Sequence, residues 1–418
     1  MVIQAIKKQL QHLHASDIKG VGQLVTQATM NVTRIAEGVH QSVWSSLGMP
    51  GGNEPGRTRG LTGLVYRSIY TVTQVVGNGI DLVLEKQQPL LESLDKGKPE
   101  TPERVAVLSA LNGVMGDRLV ANNNQFAIPM TFYYQRKALD WEALPSMPEA
   151  TNKVLLMIHG LCMNDIQWCT EHDDGEVDHG RLLSSALGYT PVYLRYNSGL
   201  HISDNGRQLA DQLERLVESW PIPIEEMTIV AHSMGGLLTR SAAYYGKQQA
   251  LRWPALMKSI VFLGTPHHGA PLERAGNKLD VVLGCTPYTS PFSRLSKLRS
   301  SGITDLRYGH IVDEDWQGAD RFEDKADGRQ VVPLPEGIAC YTVAATTATK
   351  RSLLAERLIG DGLVPLRSAL GLHDWDERNL AFSDTSQQIF YQMNHMELLS
   401  RPEVTHQMME WLAIRCRR

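Results

Sequence analysis

The sequence predicts an α/β protein: a mostly parallel, doubly wound sheet, preceded by a helical hairpin and interrupted late by an insertion. Three observations carry that expectation. Near-continuous apolar runs recur after residue 150: Lys153–Ile158 (KVLLMI), Pro191–Tyr196, Met227–Ala231, Ser259–Leu263 and Ile338–Val343. Strands buried on both faces read this way, and parallel sheets covered by helices supply them. Helical stretches, clearest at Asp204–Trp220 and Gly235–Tyr245, separate the runs, and strand alternating with helix is the signature of a doubly wound domain. Residues 1–90 lack such runs and follow a different period.

In that first region Ile18, Val21, Val25, Ala28, Val32, Ile35 and Val39 recur at steps of three and four, one stripe of an amphipathic helix with Asp17 at its N-cap. The breaker Met49-Pro50-Gly51-Gly52-Asn53-Glu54-Pro55-Gly56 follows. A second stripe carries Leu61, Val65, Ile69, Val72, Val76, Ile80 and Val83. The pair is expected to pack against the main domain or a second copy of the chain. Membrane-surface helices carry a strongly basic polar face, whereas residues 1–90 hold eight Lys/Arg against five Asp/Glu. Peripheral membrane contact through these helices is therefore the weaker reading. The expected organisation is a helical region over 1–120, an α/β domain over 121–418 opening with an antiparallel strand at Phe126–Tyr134, and a cap or lid insertion over 270–335. The acidic run Asp313, Glu314, Asp315, Asp320, Glu323, Asp324, Asp327 in that insertion reads as a solvated loop face.

Bulk properties exclude some functions. A formal net charge of −4 and a pI near 6.4 provide no field to attract nucleic acid. The first residues lack a secretory signal's apolar core, and no apolar run approaches the ~18–20 residues that span a bilayer. Five cysteines (Cys162, Cys169, Cys285, Cys340, Cys416), odd in number and without metal-ligand spacing, fit a reduced interior. A cytoplasmic protein is expected, with membrane association left open.

The chemistry centres on Ile229-Val230-Ala231-His232-Ser233-Met234-Gly235-Gly236. A buried strand runs into a serine flanked two residues either side by small residues, and a helix opens at once. So tight a turn strains the serine backbone, excludes bulky neighbours and holds the hydroxyl at the helix N-terminus. The segment resembles the nucleophile elbow of α/β-hydrolases, with Ala231 where glycine is commoner; some lipases carry the same Ala-His-Ser-Met-Gly form. In that superfamily the acid and then the histidine follow the serine on loops after late strands.

Gly360-Asp361-Gly362-Leu363-Val364-Pro365 resembles the Asp-Gly-Leu-Val-Pro acid loop of lipases, and Asn394-His395-Met396 lies after the strand-like run Gln388–Met393, before a terminal helix reaching Ile414. Separations of 128 and 34 residues suit the order Ser233, Asp361, His395. Asp376 and Asp384 remain alternative acids. His159-Gly160-Leu161 resembles the family's oxyanion loop, so the resemblance implies Leu161 and Met234 N–H groups as oxyanion donors. Gly264-Thr265-Pro266-His267-His268-Gly269 resembles a further lipase segment. His159, His232, His267 and His268 are expected to be structural, His232 facing the sheet interior. The four motifs together resemble lipase and esterase members of the superfamily, including GPI inositol-deacylase-like hydrolases, over residues 150–400; the first ~120 residues are not covered.

The resemblance implies a serine esterase or lipase acting on a small-molecule or lipid ester through an acyl-enzyme, with no cofactor and no metal. An acyltransferase, thioesterase or polyester depolymerase would use the same triad. A lipid- or partner-binding scaffold with a vestigial triad, and a homo-oligomer, remain open. Glu171–His179, with two histidines and five carboxylates, reads as a polar surface loop, although some lipases hold a structural calcium.

Overall fold

Alternate residues of the predicted strands pack on opposite sides of one eight-stranded sheet. The structure, a computed structural model, describes residues 100–172, 175–270, 299–318, 327–349 and 360–415, and before residue 100 only 14, 17, 19–27, 30, 71, 73 and 74. Most of the predicted hairpin, Cys285, Cys416, Asp320, Glu323 and Asp324 lie outside the described residues. The chain falls into two compact units, Met1–Arg104 with Asn122–Phe126, and Val105–Ala121 with Ala127–Arg418.

In the first unit Asp17 and residues 19–27 are helical. Asp17 does not act as the predicted N-cap. It sits one turn in, its carboxylate reaching back to accept the His14 N–H at 2.9 Å and pairing with Arg104 at 2.7 Å. That is the third-position role of a capping box, which a sequence offering no Ser or Thr three residues earlier did not signal.

The second unit contains β1 (Thr131–Tyr134), β2 (Lys137–Ala138), β3 (Lys153–Ile158), β4 (Cys169–His172), β5 (Gly175–Asp178), β6 (Thr190–Arg195), β7 (Glu226–His232), β8 (Met257–Leu263), β9 (Ala339–Thr346) and β10 (Gln387–Tyr391). Its main helices are α1 (Pro102–Ala121, from Val105 onward), α2 (His179–Leu187), α3 (Ile202–Ser219), α4 (Met234–Gln248), α5 (Ser301–Tyr308) and α6 (Pro402–Arg415). The sheet order is β10-β9-β8-β7-β3-β6-β1-β2. From β10 to β6 every pairing is parallel; β1 joins β6 antiparallel, as expected of the first strand. The chain runs from β3 outward to β6, then returns to place β7 on the other flank of β3. Open sheets form their crevice at such a reversal, beyond the carboxyl ends of the strands.

Period-two alternation fills both faces. Val154, Leu156, Ile158, Ile229, Ala231, Ile260 and Phe262 pack with Leu209 and Leu213 of α3 and Leu237 and Leu238 of α4. Leu155, Met157, Val230, Val261 and Leu263 pack with Leu183 of α2 and Val404, Met408 and Leu412 of α6.

Several local expectations change. Residues 105–121 pack with the sheet unit because α1 approaches it through glycines: a Cβ on Gly113 would lie 2.2 Å from Cys162 Sγ, and one on Gly116 1.9 Å from Asn197 Oδ1. Where described, the polar segment expected as a loop forms β4 and β5, which pair antiparallel and lead into α2, whose N-cap is Asp178. His179 is buried there, hydrogen-bonded to Thr405 Oγ1 at 2.6 Å and the Leu398 carbonyl at 2.9 Å. After His395 the chain forms a single 3-10 turn, Met396–Leu399, and the terminal helix begins only at Pro402, a residue suited to a first helical position.

Within 270–335, Ile303 and Leu306 of α5, Ile311 and Val312 belong to the main core, so the described part of the insertion is structured. A lid over the mouth would rest on residues 271–298 and 319–326, outside the described residues. In the described part of the acidic run Glu314 is exposed as a solvated face would have it, but Asp313, Asp315 and Asp327 are tied into the fold. Asp313 pairs with Arg207, Asp315 accepts the N–H groups of Ile311, Val312 and Gln330, and Asp327 pairs with Arg329. Among the described residues no helix is long and apolar enough to cross a membrane.

On β6, Arg195 Nε donates to Asp165 Oδ1 at 2.5 Å, both side chains buried, and the guanidinium lies 4.2 Å from the centre of the Tyr133 ring. Asp165→Ala takes a hydrogen-bonded carboxylate from that buried cation, and hydrogen bonds to charged groups are worth about 1.5–3 kcal/mol. Urea unfolding measures this; a loss under about 1 kcal/mol, the worth of an exposed pair, would contradict it.

Candidate active site

Ser233 stands at the carboxyl end of β7 and caps α4, with φ 55° and ψ −126°. A non-glycine residue there is strained by roughly 1–3 kcal/mol. Two hydrogen bonds hold it: Ser233 N–H donates to the Leu263 carbonyl at 2.8 Å, and its own carbonyl accepts from Gly236 N–H at 3.0 Å. Tight packing closes the alternatives. A Cβ on Gly235 would lie 2.6 Å from the Ile158 carbonyl oxygen and 2.7 Å from that of His159, and one on Gly236 would strike Thr265. The requirement for small residues around the serine is therefore met by backbone crowding from β3.

From β3 the chain continues into His159-Gly160-Leu161. Gly160 passes so close that a Cβ would be 2.9 Å from Ser233 Cβ. Leu161 lines the same small cavity as Ser233, and Met234 opens the helix. Cys162, left-handed at φ 60°, donates its N–H to Ser198 Oγ. The N–H groups of Leu161 and Met234 meet no protein acceptor among the described residues.

Asp361 and His395 come together from separate loops. Asp361 Oδ1 accepts the N–H groups of Leu363 (2.9 Å) and Val364 (2.8 Å), which leaves Oδ2 to accept from His395 Nδ1 at 2.6 Å. The backbone repeats the link, His395 N–H donating to the Asp361 carbonyl at 3.0 Å. Gly360, at φ 33°, lies against the Val364 carbonyl where no side chain fits. With Nδ1–H committed to a carboxylate, Nε2 is the nitrogen left to accept a proton. The alternative acids Asp376 and Asp384 lie exposed in 3-10 turns.

His395 and Ser233 form walls of one cavity of about 20 Å³, with Leu161, Met163, Leu363 and Val364. Ser233 Oγ makes no hydrogen bond to the imidazole in this arrangement; unliganded sites are often loose in this way. On the other side of His395 a groove of about 830 Å³, touching Asp361, Leu363, Met396, Cys169 and Thr347, is large enough for a ligand.

The supporting histidines are buried. His159 stacks on Tyr196 and bonds the Gly160 carbonyl at 2.9 Å, and burial pushes it down to about 3. Burial likewise lowers His179 to about 4. His232 does more than face the interior: its Nε2–H donates to the His395 carbonyl at 3.1 Å and its ring lies 4.6 Å from that of His395. Burial, then the neighbouring His395, hold it well below the ordinary range. Sequence reasoning also missed Gly264, at φ 57°, where a Cβ would lie 3.1 Å from the His395 ring. Its place before Thr265-Pro266 was the available signal.

The sheet order and the strained serine at the crevice define an α/β-hydrolase fold. Residues 149–335 match the family model described as a PGAP1-like alpha/beta domain, a span that includes Leu161 and Ser233 and ends before Asp361 and His395. No curated protein matches the chain. Among solved structures, a mature lipase of Bacillus licheniformis is 18% identical over 64% of this chain and 93% of its own, with a TM-score of 0.39. An esterase of Pyrococcus furiosus is 13% identical over 63% and 82%, with a TM-score of 0.36. A phospholipase of Legionella pneumophila is 12% identical over 52% and 45%, with a TM-score of 0.30.

The buried rings set a pH dependence. His159, His179, His232, His267 and His268 are neutral when folded, and their ordinary value is 6.5. Unfolding lets them bind protons, so their contribution to stability is whole above about pH 6.5 and is lost as pH falls toward the folded values. Each can cost up to about 1.4 kcal/mol per pH unit. The urea midpoint is expected to drop steeply between pH 6.5 and 5; a flat midpoint over that range would mean the rings are charged in the fold.

Proposed function

We propose that the chain is a serine carboxylic-ester hydrolase in which Ser233 is the nucleophile, His395 the general base and Asp361 the orienting acid. The observation that carries the reading is the Asp361–His395 hydrogen bond at 2.6 Å, made by an imidazole that shares a cavity with a strained, helix-capping serine.

His395 Nε2 takes the Ser233 proton as the hydroxyl attacks an ester carbonyl. Asp361 holds the tautomer and stabilises the imidazolium. Leu161 and Met234 N–H groups, with the N-terminus of α4 behind the latter, receive the charge that develops on the carbonyl oxygen. The alcohol leaves with the proton from His395, and water activated by the same ring releases the acid. The apolar walls Leu161, Met163, Leu363 and Val364, and the groove beyond His395, suit small acyl or lipid-like esters.

A fluorophosphonate probe is expected to label the wild type at Ser233 and to leave Ser233→Ala unlabelled. With p-nitrophenyl esters of graded chain length, Ser233→Ala is expected to lower kcat by about 10⁴-fold or more. Asp361→Asn, which forces the wrong tautomer, is expected to lower it by a factor on the order of 10⁴. Undiminished turnover in folded Ser233→Ala would end the proposal, and ester exchange outpacing hydrolysis when an acceptor alcohol is added would redirect it to acyl transfer.

A further inference from the structure

Behind the wall of the serine cavity, three arginines outnumber the carboxylates beside them among the described residues. Arg240 of α4 is 5% exposed and makes one hydrogen bond, to the Val332 carbonyl at 2.5 Å; its Nε–H has no partner. Arg329 and Arg378, with side chains 8% and 11% exposed, share Asp327, and Arg378 Nε–H is also unpartnered. His267 is 1% exposed and neither ring nitrogen has a partner, whereas the His268 ring gives its N–H to the Gly371 backbone and leaves Nε2 unpartnered. All but Asp327 line one cavity of about 30 Å³. The neighbouring carboxylate of Asp315 is taken up by three backbone N–H groups.

We propose that this cavity is a binding site for one small inorganic anion, a halide or a compact oxyanion such as phosphate, held by Arg240, Arg378 and His267. Among the described residues three guanidinium charges lie near two carboxylates, Asp327 and Asp315, and an uncompensated buried cation is costly. The orphaned Nε–H groups of Arg240 and Arg378 and the one N–H of the neutral His267 ring are donors. An anion accepts from all three, and guanidinium groups suit it. The volume admits a single small ion and excludes a bulky organic acid. Burial, reinforced by the nearby Arg329, pushes Arg240 down to about 10, a strain that a bound anion would relieve. The site has a structural consequence. His267 and His268 sit in the Gly264–Ala270 segment whose Pro266 and Ala270 line the Ser233 cavity, so the ion braces that wall.

The test is thermal unfolding of the full chain at constant ionic strength, with sodium gluconate replaced stepwise by sodium chloride or sodium phosphate. The wild type is expected to gain about 3–6 °C along a saturable curve with at least one of them. Arg240→Gln is expected to abolish the gain. Should that variant fail to fold, Arg378→Gln is expected to raise the midpoint anion concentration at least about tenfold, the loss of one charge-assisted hydrogen bond. Identical curves in chloride, phosphate and gluconate, or an unchanged midpoint in folded Arg378→Gln, would overturn the proposal.

Discussion

A serine held at φ 55° and ψ −126° stays there only while everything around it forbids relaxation. The forbidding contacts come from two strands and a helix at once. The end of β3 presses its carbonyls against Gly235, the end of β8 accepts the Ser233 N–H, and α4 begins within one residue. Both strands flank β7, so the strain is sustained by the centre of the sheet rather than by the loop. The same reversal of strand order that opens the crevice therefore also tensions the residue that occupies it.

Around that point the molecule replaces water with fixed polar contacts. Asp361 keeps one oxygen bound to backbone N–H groups and offers the other to His395, so the carboxylate is oriented before any substrate arrives. His232 holds the His395 backbone from beneath, and His159 ties the Gly160 turn to Tyr196. These rings serve as neutral hydrogen-bonding wedges because burial removes their charge. The arrangement exposes the fold to acid, since each buried neutral ring is a proton-binding site that only unfolding releases.

The arginine cluster reflects a different compromise. Arg240 lies on the helix that Ser233 caps, and its charge is buried where the Gly264–Ala270 segment turns back over the sheet. Guanidinium groups at such a place order neighbouring carbonyls, as Arg240 does with Val332 and Arg378 with Asp327, but leave a surplus of donors.

Much of the fold was legible because it is encoded locally. The strand Lys153–Ile158 appeared with the bounds expected, and the other four core strands within a few residues, since a run buried on both faces leaves an unbroken apolar signal. The serine turn was equally readable, because a strained turn restricts its immediate neighbours. Side-chain partnerships between distant segments left no such trace. Asp361 and His395 were suggested by a family's chain order, but their contact depends on two loops meeting beyond β9 and β10. Arg240, His267, Arg329 and Arg378 look like ordinary polar residues in the sequence, as do Asp313, Asp315 and Asp327, whose partners lie elsewhere in the fold. Amino-acid order by itself determined which segments become strands and where the chain must bend sharply. Only the tertiary structure decided which buried charges meet, because periodicity acts over a few residues whereas desolvation depends on what the rest of the chain packs against them.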